Sequence, residues 1–137
     1  MIAKILWISG SVIYIILATL HLLYTFFSNK FLAKDRATVE AMKQTHPILT
    51  NKTTMWKAWV GFNGSHSAGG IFLGTINLLL ACFYFSFLSS ASPLIILTAI
   101  TSLFYLFLAV KYWFKVPLTG ISVATLCYII AAVIILV

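Results

Sequence analysis

ILWISGSVIYIILATLHLLYTFF, residues Ile5–Phe27, carries no charged side chain along its whole length. A helix of about 20 apolar residues crosses the hydrocarbon core of a bilayer, because it satisfies its backbone polar groups internally where no water can. The stretch is too long for the apolar region of a secretory signal, and no Ala-x-Ala-like cleavage site follows it. It therefore reads as a retained span. Three further stretches qualify downstream: Trp59–Leu88, Leu94–Phe114 and Val116–Val137. The second is long enough to tilt or to begin in the interface. Pro93 and Pro117 open the last two spans at first-turn positions, where a missing N–H costs nothing. Ser89–Pro93 reads as a tight turn, and Lys115 stands alone between the last two spans, which makes them an antiparallel hairpin.

Composition agrees with this reading. The chain is 62% hydrophobic and 8% charged, whereas a soluble domain carries about 25% charged residues. With 137 residues there is room for one domain. The predicted fold is all-α, a single integral membrane four-helix bundle over residues 1–137.

Charge sets the orientation. The connection Ser28–Ala58 holds Lys30, Lys34, Arg36, Lys43, Lys52 and Lys57 against only Asp35 and Glu40. Lys111 and Lys115 border the other loop on that side, and the opposite side has only Lys4. Cytoplasmic loops are the ones enriched in Lys and Arg. The prediction is a multi-pass protein of the bacterial inner (cytoplasmic) membrane with N- and C-termini non-cytoplasmic. The net charge of +7 is accounted for by this layout, so nucleic acid is not an expected partner and the lipid bilayer is. Within the long loop, Ala33–Gln44 is rich in helix formers and places Val39 and Met42 at i, i+3. It reads as a short interfacial helix on anionic headgroups.

Cys82 and Cys127 differ in expected depth by about 10–20 Å at ~1.5 Å per residue, too far for a disulfide, and there is no C-x-x-C pair. Both read as packing residues.

No Asp, Glu, Lys or Arg lies in the core of a span, but His21 and His66 do. His21 precedes Lys30 by nine positions and His66 follows Lys57 by nine, so each sits about 13 Å along its helix from a flanking lysine. The first two spans are antiparallel, which puts the two imidazoles at one level. Each lies on a stripe of small or polar residues at helical spacing: Ser11, Tyr14, Ala18, His21, Thr25 and Ser28 in one, Trp59, Asn63, His66, Gly70, Gly74 and Asn77 in the other. Thr98, Ser102, Tyr105, Tyr112, Ser122, Thr125 and Tyr128 are candidates to face the same interior. Gly70-x-x-x-Gly74 admits close approach of a neighbouring helix or of a flat ligand. Ser and Thr in membrane helices also bond back to their own backbone, and His66 has the simpler option of hydrogen-bonding Asn63 or a loop carbonyl.

The segment Trp59-Val60-Gly61-Phe62-Asn63-Gly64-Ser65-His66-Ser67-Ala68-Gly69 resembles the W-x-G-x-N-x-S-H-S-x-G signature of an uncharacterised group of small bacterial four-helix membrane proteins. Their first helix ends in a pattern similar to His21-Leu22-Leu23-Tyr24-Thr25-Phe26. The resemblance covers nearly the whole chain. It implies a four-helix fold and marks Asn63, His66 and His21 as family positions; it implies no activity.

Three uses of the histidines stay open. In the first they hold a cofactor: His21 and His66 as axial ligands of a haem with Gly70 and Gly74 leaving room for the macrocycle, or both on a transition metal with His46 or Glu40 as a third ligand. In the second, His66 and His21 are acid and base toward a lipophilic small molecule, and Asn63 and Tyr24 donate hydrogen bonds to a developing oxyanion. In the third the chain is an accessory subunit or a small oligomeric transporter or channel, homo-oligomers being natural for so thin a bundle, and the histidines are structural.

Overall fold

A computed structural model describes all residues, Met1–Val137, and every regular element is helical. In chain order these are α1 (Ile2–Phe27), α2 (Arg36–Gln44), α3 (Met55–Phe83), α4 (Phe85–Ser90), α5 (Ser92–Tyr112) and α6 (Lys115–Leu136). Helices α1, α3, α5 and α6 are long and apolar enough to cross a membrane. Large apolar side chains such as Leu97, Ile100, Phe104, Phe107 and Val110 lie exposed along α5. Such continuous apolar surface is foreign to a water-soluble monomer; the chain is a multi-pass membrane protein.

The second expected span, Trp59–Leu88, is corrected at both ends. Helix α3 starts earlier, at Met55, because Thr54 Oγ1 accepts from the Lys57 N–H at 3.3 Å and its carbonyl from the Ala58 N–H at 3.0 Å. Hydrogen bonding fixes a helix start, and hydropathy does not see it. The helix ends at Phe83, where Tyr84 leaves helical geometry (φ −132°, ψ 36°). Lys4 Nζ donates to the Cys82 carbonyl at 3.4 Å, satisfying one of the orphan acceptors of the broken end. Phe85–Leu88, expected as the end of the span, instead begins the short helix α4, whose Leu88 is fully buried, and within the expected turn Ser89–Pro93 only Ala91 is non-helical, linking α4 to α5.

The chain divides into two compact units: Met1–Leu17 with Gly70–Val137, and Ala18–Gly69. In the first, the buried apolar core is built from Trp7, Tyr14, Ala81, Leu88, Ile95, Ala109, Ile121, Ala124, Tyr128 and Ala131. Small residues let backbones approach: a Cβ on Gly74 would stand 2.8 Å from the Ser11 carbonyl oxygen and 3.0 Å from the Ile15 nitrogen. Polar side chains then tie the helices together. Asn77 Oδ1 accepts from Trp7 Nε1–H at 2.9 Å and from Thr98 Oγ1 at 3.1 Å, joining α1, α3 and α5. Ser11 and Tyr128 share a hydrogen bond at 3.0 Å, and the hydroxyls of Tyr14, Ser102 and Thr125 form a chain with 2.9 Å links. No buried side-chain polar atom is left without a partner.

The second unit contains α2. Asp35 is its N-cap, accepting from Thr38 Oγ1 and from the backbone N–H groups of Ala37 and Thr38. The Thr38 hydroxyl first, and then these two N–H groups, hold its carboxyl below the usual carboxylate range. The folded state therefore favours the ionised cap, whose contribution is present above the unfolded pKa and lost as pH falls through the folded one. Acid titration followed by amide exchange is expected to show α2 opening at low pH in the native chain. In Asp35→Ala, α2 should be open and pH-independent from the start; a native-like acid profile in that variant would refute the cap's role.

Candidate functional site

The polar stripe of the first two spans divides between the two units. Ser11, Tyr14, Gly70, Gly74 and Asn77 belong to the first, with Thr98, Ser102, Thr125 and Tyr128, and there the polar side chains are hydrogen-bonded within the unit. His21, Tyr24, Asn63 and His66 belong to the second.

Within that unit Asn63 sits one helical turn after Trp59, and its Nδ2 donates to the Trp59 carbonyl at 2.8 Å. This orients the amide so that Oδ1 faces His21 Nε2, 2.9 Å away. A carboxamide oxygen only accepts, so the proton of this bond resides on Nε2 and the lone pair of a neutral His21 ring on Nδ1. Asn63 thus fixes the tautomer, as a partner on one ring nitrogen does generally. The His66 ring lies one turn further along α3, with centroids 5.4 Å apart and planes at 69° to the ring of His21. Ser67, Ser65 and Thr25 bond back to the carbonyls of Asn63, Phe62 and His21 and do not add donors to the site.

One residue was not legible in the sequence. Helix α1 stops at Phe27, and a turn closed by Leu32 N–H to the Asn29 carbonyl (3.2 Å) folds Phe31 back. Its ring lies 4.5 Å from that of His21, 6.2 Å from Tyr24 and 6.5 Å from Trp59. Trp56 stacks on Trp59 at 5.5 Å, and Lys30 Nζ lies 4.0 Å over the Tyr24 ring. Helical periodicity had no access to Phe31, because it lies outside any helix. The Ser28–Lys30 turn signal before it was the only local hint.

This geometry does not form the haem seat expected from the sequence. Nε2 of His21 is engaged by Asn63, Phe31 covers one side of the ring, and the two imidazoles meet edge to face instead of opposing each other across a plane. Gly74, assigned to the macrocycle, packs on Ser11 and Ile15 of α1, and Gly70 is buried in the same unit. The three-ligand metal site is also corrected. Nowhere do three His, Cys, Asp or Glu side chains converge. His46 Nδ1 donates to the Thr53 carbonyl at 2.7 Å, closing a loop, while Glu40 pairs with Lys43 at 2.8 Å.

What the arrangement can do is hold and pass a proton. His21 offers a ring whose tautomer is set, the His66 ring lies 5.4 Å from it, and the rings of Phe31, Tyr24 and Trp59 gather beside them. Asn63 positions His21: Oδ1 holds the ring and one Nδ2–H is bound to the Trp59 carbonyl, which leaves the second Nδ2–H for the donor role expected of it. Compared with known proteins, the chain matches no protein family, no curated protein and no solved structure.

Proposed function

We propose that this protein binds a lipophilic small molecule beside His21 and His66 and exchanges a proton with it. The observation that carries the reading is the Trp59 carbonyl–Asn63–His21 relay with His66 at 5.4 Å. It supplies one imidazole of defined tautomer and a second at contact distance, and imidazole titrates near neutral pH. Phe31, Trp59 and Tyr24 give the site faces suited to a flat or aromatic molecule. The distribution of lysines supports N- and C-termini non-cytoplasmic, with Ser28–Ala58 in the cytoplasm of a bacterial inner membrane. The resemblance of Trp59–Gly69 to the small four-helix group supports the same positions.

The test is to purify the protein in mild detergent and record oxidised and reduced absorption spectra. Solvent extraction and mass spectrometry follow on the native chain, His21→Ala, His66→Ala and Asn63→Leu. The native chain is expected to retain a discrete lipophile that is lost in both histidine variants, and weakly retained in Asn63→Leu, where the ring is present but no longer held. Recovery of the same bulk lipids from all four proteins overturns the reading. A Soret band overturns it in favour of haem. The second reading, an accessory subunit or small oligomeric channel with structural histidines, draws on the same His21–Asn63 bond, since it satisfies a polar group in an apolar setting. It requires that loss of both histidines leave function intact and lower only stability.

A further inference from the structure

The segment between α2 and α3 is a closed loop with an apolar tip. Met55 N–H donates to the Thr45 carbonyl at 2.9 Å, and His46 Nδ1 to the Thr53 carbonyl at 2.7 Å, so its two ends are pinned together at the first residue of α3. Its far end is a β-turn, Pro47–Thr50, closed by Thr50 N–H to the Pro47 carbonyl at 3.1 Å. The two central residues of that turn are Ile48 and Leu49. Turn centres normally carry Gly, Asn, Asp or Ser; here two large aliphatic side chains are 108% and 93% exposed. Nothing in the fold covers them.

The charges around this tip are unbalanced. Of the two carboxylates of the connection, Glu40 is paired with Lys43 and Asp35 caps α2. Lys52 and Lys57 after the tip are exposed and have no carboxylate partner. Leu49 lies six positions before Met55, so the tip lies within about 20 Å of the start of the membrane-crossing helix α3. Apolar side chains flanked by cations, tethered beside a span, match a leaflet with anionic headgroups over hydrocarbon.

We infer that the Pro47–Thr50 turn is a membrane-insertion tip: Ile48 and Leu49 enter the bilayer beside α3 while Lys52 and Lys57 lie on anionic phosphates. The loop closed by His46 is then an anchor that presents this tip, a role that does not depend on the histidine pair. The inference also does not depend on which side of the membrane the loop occupies.

The test uses the full chain in lipid nanodiscs, with a nitroxide at Asn51→Cys in a Cys82→Ser, Cys127→Ser background. In discs containing anionic phospholipid, the label is expected to be severalfold less accessible to a water-soluble relaxing agent than in the same protein carrying Ile48→Ser and Leu49→Ser. The difference should shrink in purely zwitterionic discs and at high salt, where headgroup attraction is weak or screened. Helix content measured on the same samples checks that the double change, confined to exposed positions, leaves the fold intact. Equal accessibility with and without Ile48 and Leu49 overturns the inference, whether the label is open in both or shielded in both. The first result would leave the tip free for a protein partner, and the second would mean that the loop itself shields the label.

Discussion

Replacing Gly74 by alanine is expected to be among the most damaging single-methyl additions in the chain, destabilising it by about 3 kcal/mol. The added Cβ would stand 2.7 Å from Ile15 Cγ1, 2.8 Å from the Ser11 carbonyl oxygen and 3.0 Å from the Ile15 nitrogen. Ile15 can swing its side chain away, but the two backbone atoms cannot move without moving α1. Separating α1 from α3 by a few tenths of an ångström stretches the bond that crosses the same contact, Trp7 to Asn77 at 2.9 Å. Overpacking alone costs about 1–3 kcal/mol, and the weakened hydrogen bond adds to it. The contrast is Gly61, where a Cβ meets nothing within 4 Å; Gly61→Ala should be neutral or slightly stabilising through helix propensity. Unfolding in mixed micelles measures both. If Gly74→Ala and Gly61→Ala unfold at the same denaturant fraction, α1 does not lie against Gly74.

Asn77→Leu nearly preserves volume and removes one acceptor shared by two donors. Trp7 is fully buried, and its indole N–H has no other use for its proton than Asn77 Oδ1. Thr98 is better placed to recover, because a threonine hydroxyl can turn to its own helix backbone. One buried donor left unpaired costs about 1–3 kcal/mol, while single hydrogen bonds between membrane helices average only ~0.6 kcal/mol. The expected loss is about 2 kcal/mol for Asn77→Leu and well under 1 kcal/mol for Thr98→Val. A double-mutant cycle separates the two effects. In a Trp7→Phe background, where no indole donor remains to be stranded, Asn77→Leu should cost markedly less than in the native chain. Equal cost in both backgrounds would show that the Trp7–Asn77 bond carries no energy.

The spans and the pairing of the histidines were open to reading from the sequence because both depend on quantities that add along the chain. Hydropathy sums over a window, so four stretches of spanning length stand out whatever their neighbours do. The rise per residue is fixed, so counting nine positions from Lys30 and from Lys57 placed His21 and His66 at one level. The structure brings their rings to 5.4 Å. Ala33–Gln44 likewise carried a local helix signal, and α2 occupies Arg36–Gln44 behind the Asp35 cap.

The choice of partners was not readable. Helices that are apolar almost all round contain little information about which way each faces, since rotating one about its axis changes its hydrophobic exposure very little. Tertiary packing therefore decided that Gly74 seats α1 instead of a cofactor, and that Asn77 takes both Trp7 and Thr98. It also decided that α3 breaks at Tyr84, where neither glycine nor proline marks an end. At the candidate site, packing decided that Asn63 sets the tautomer of His21 and that Phe31 folds over the ring. Depth along a helix follows from the sequence because its geometry is one-dimensional and local; rotation about the helix axis is settled only by close contact between side chains far apart in the chain.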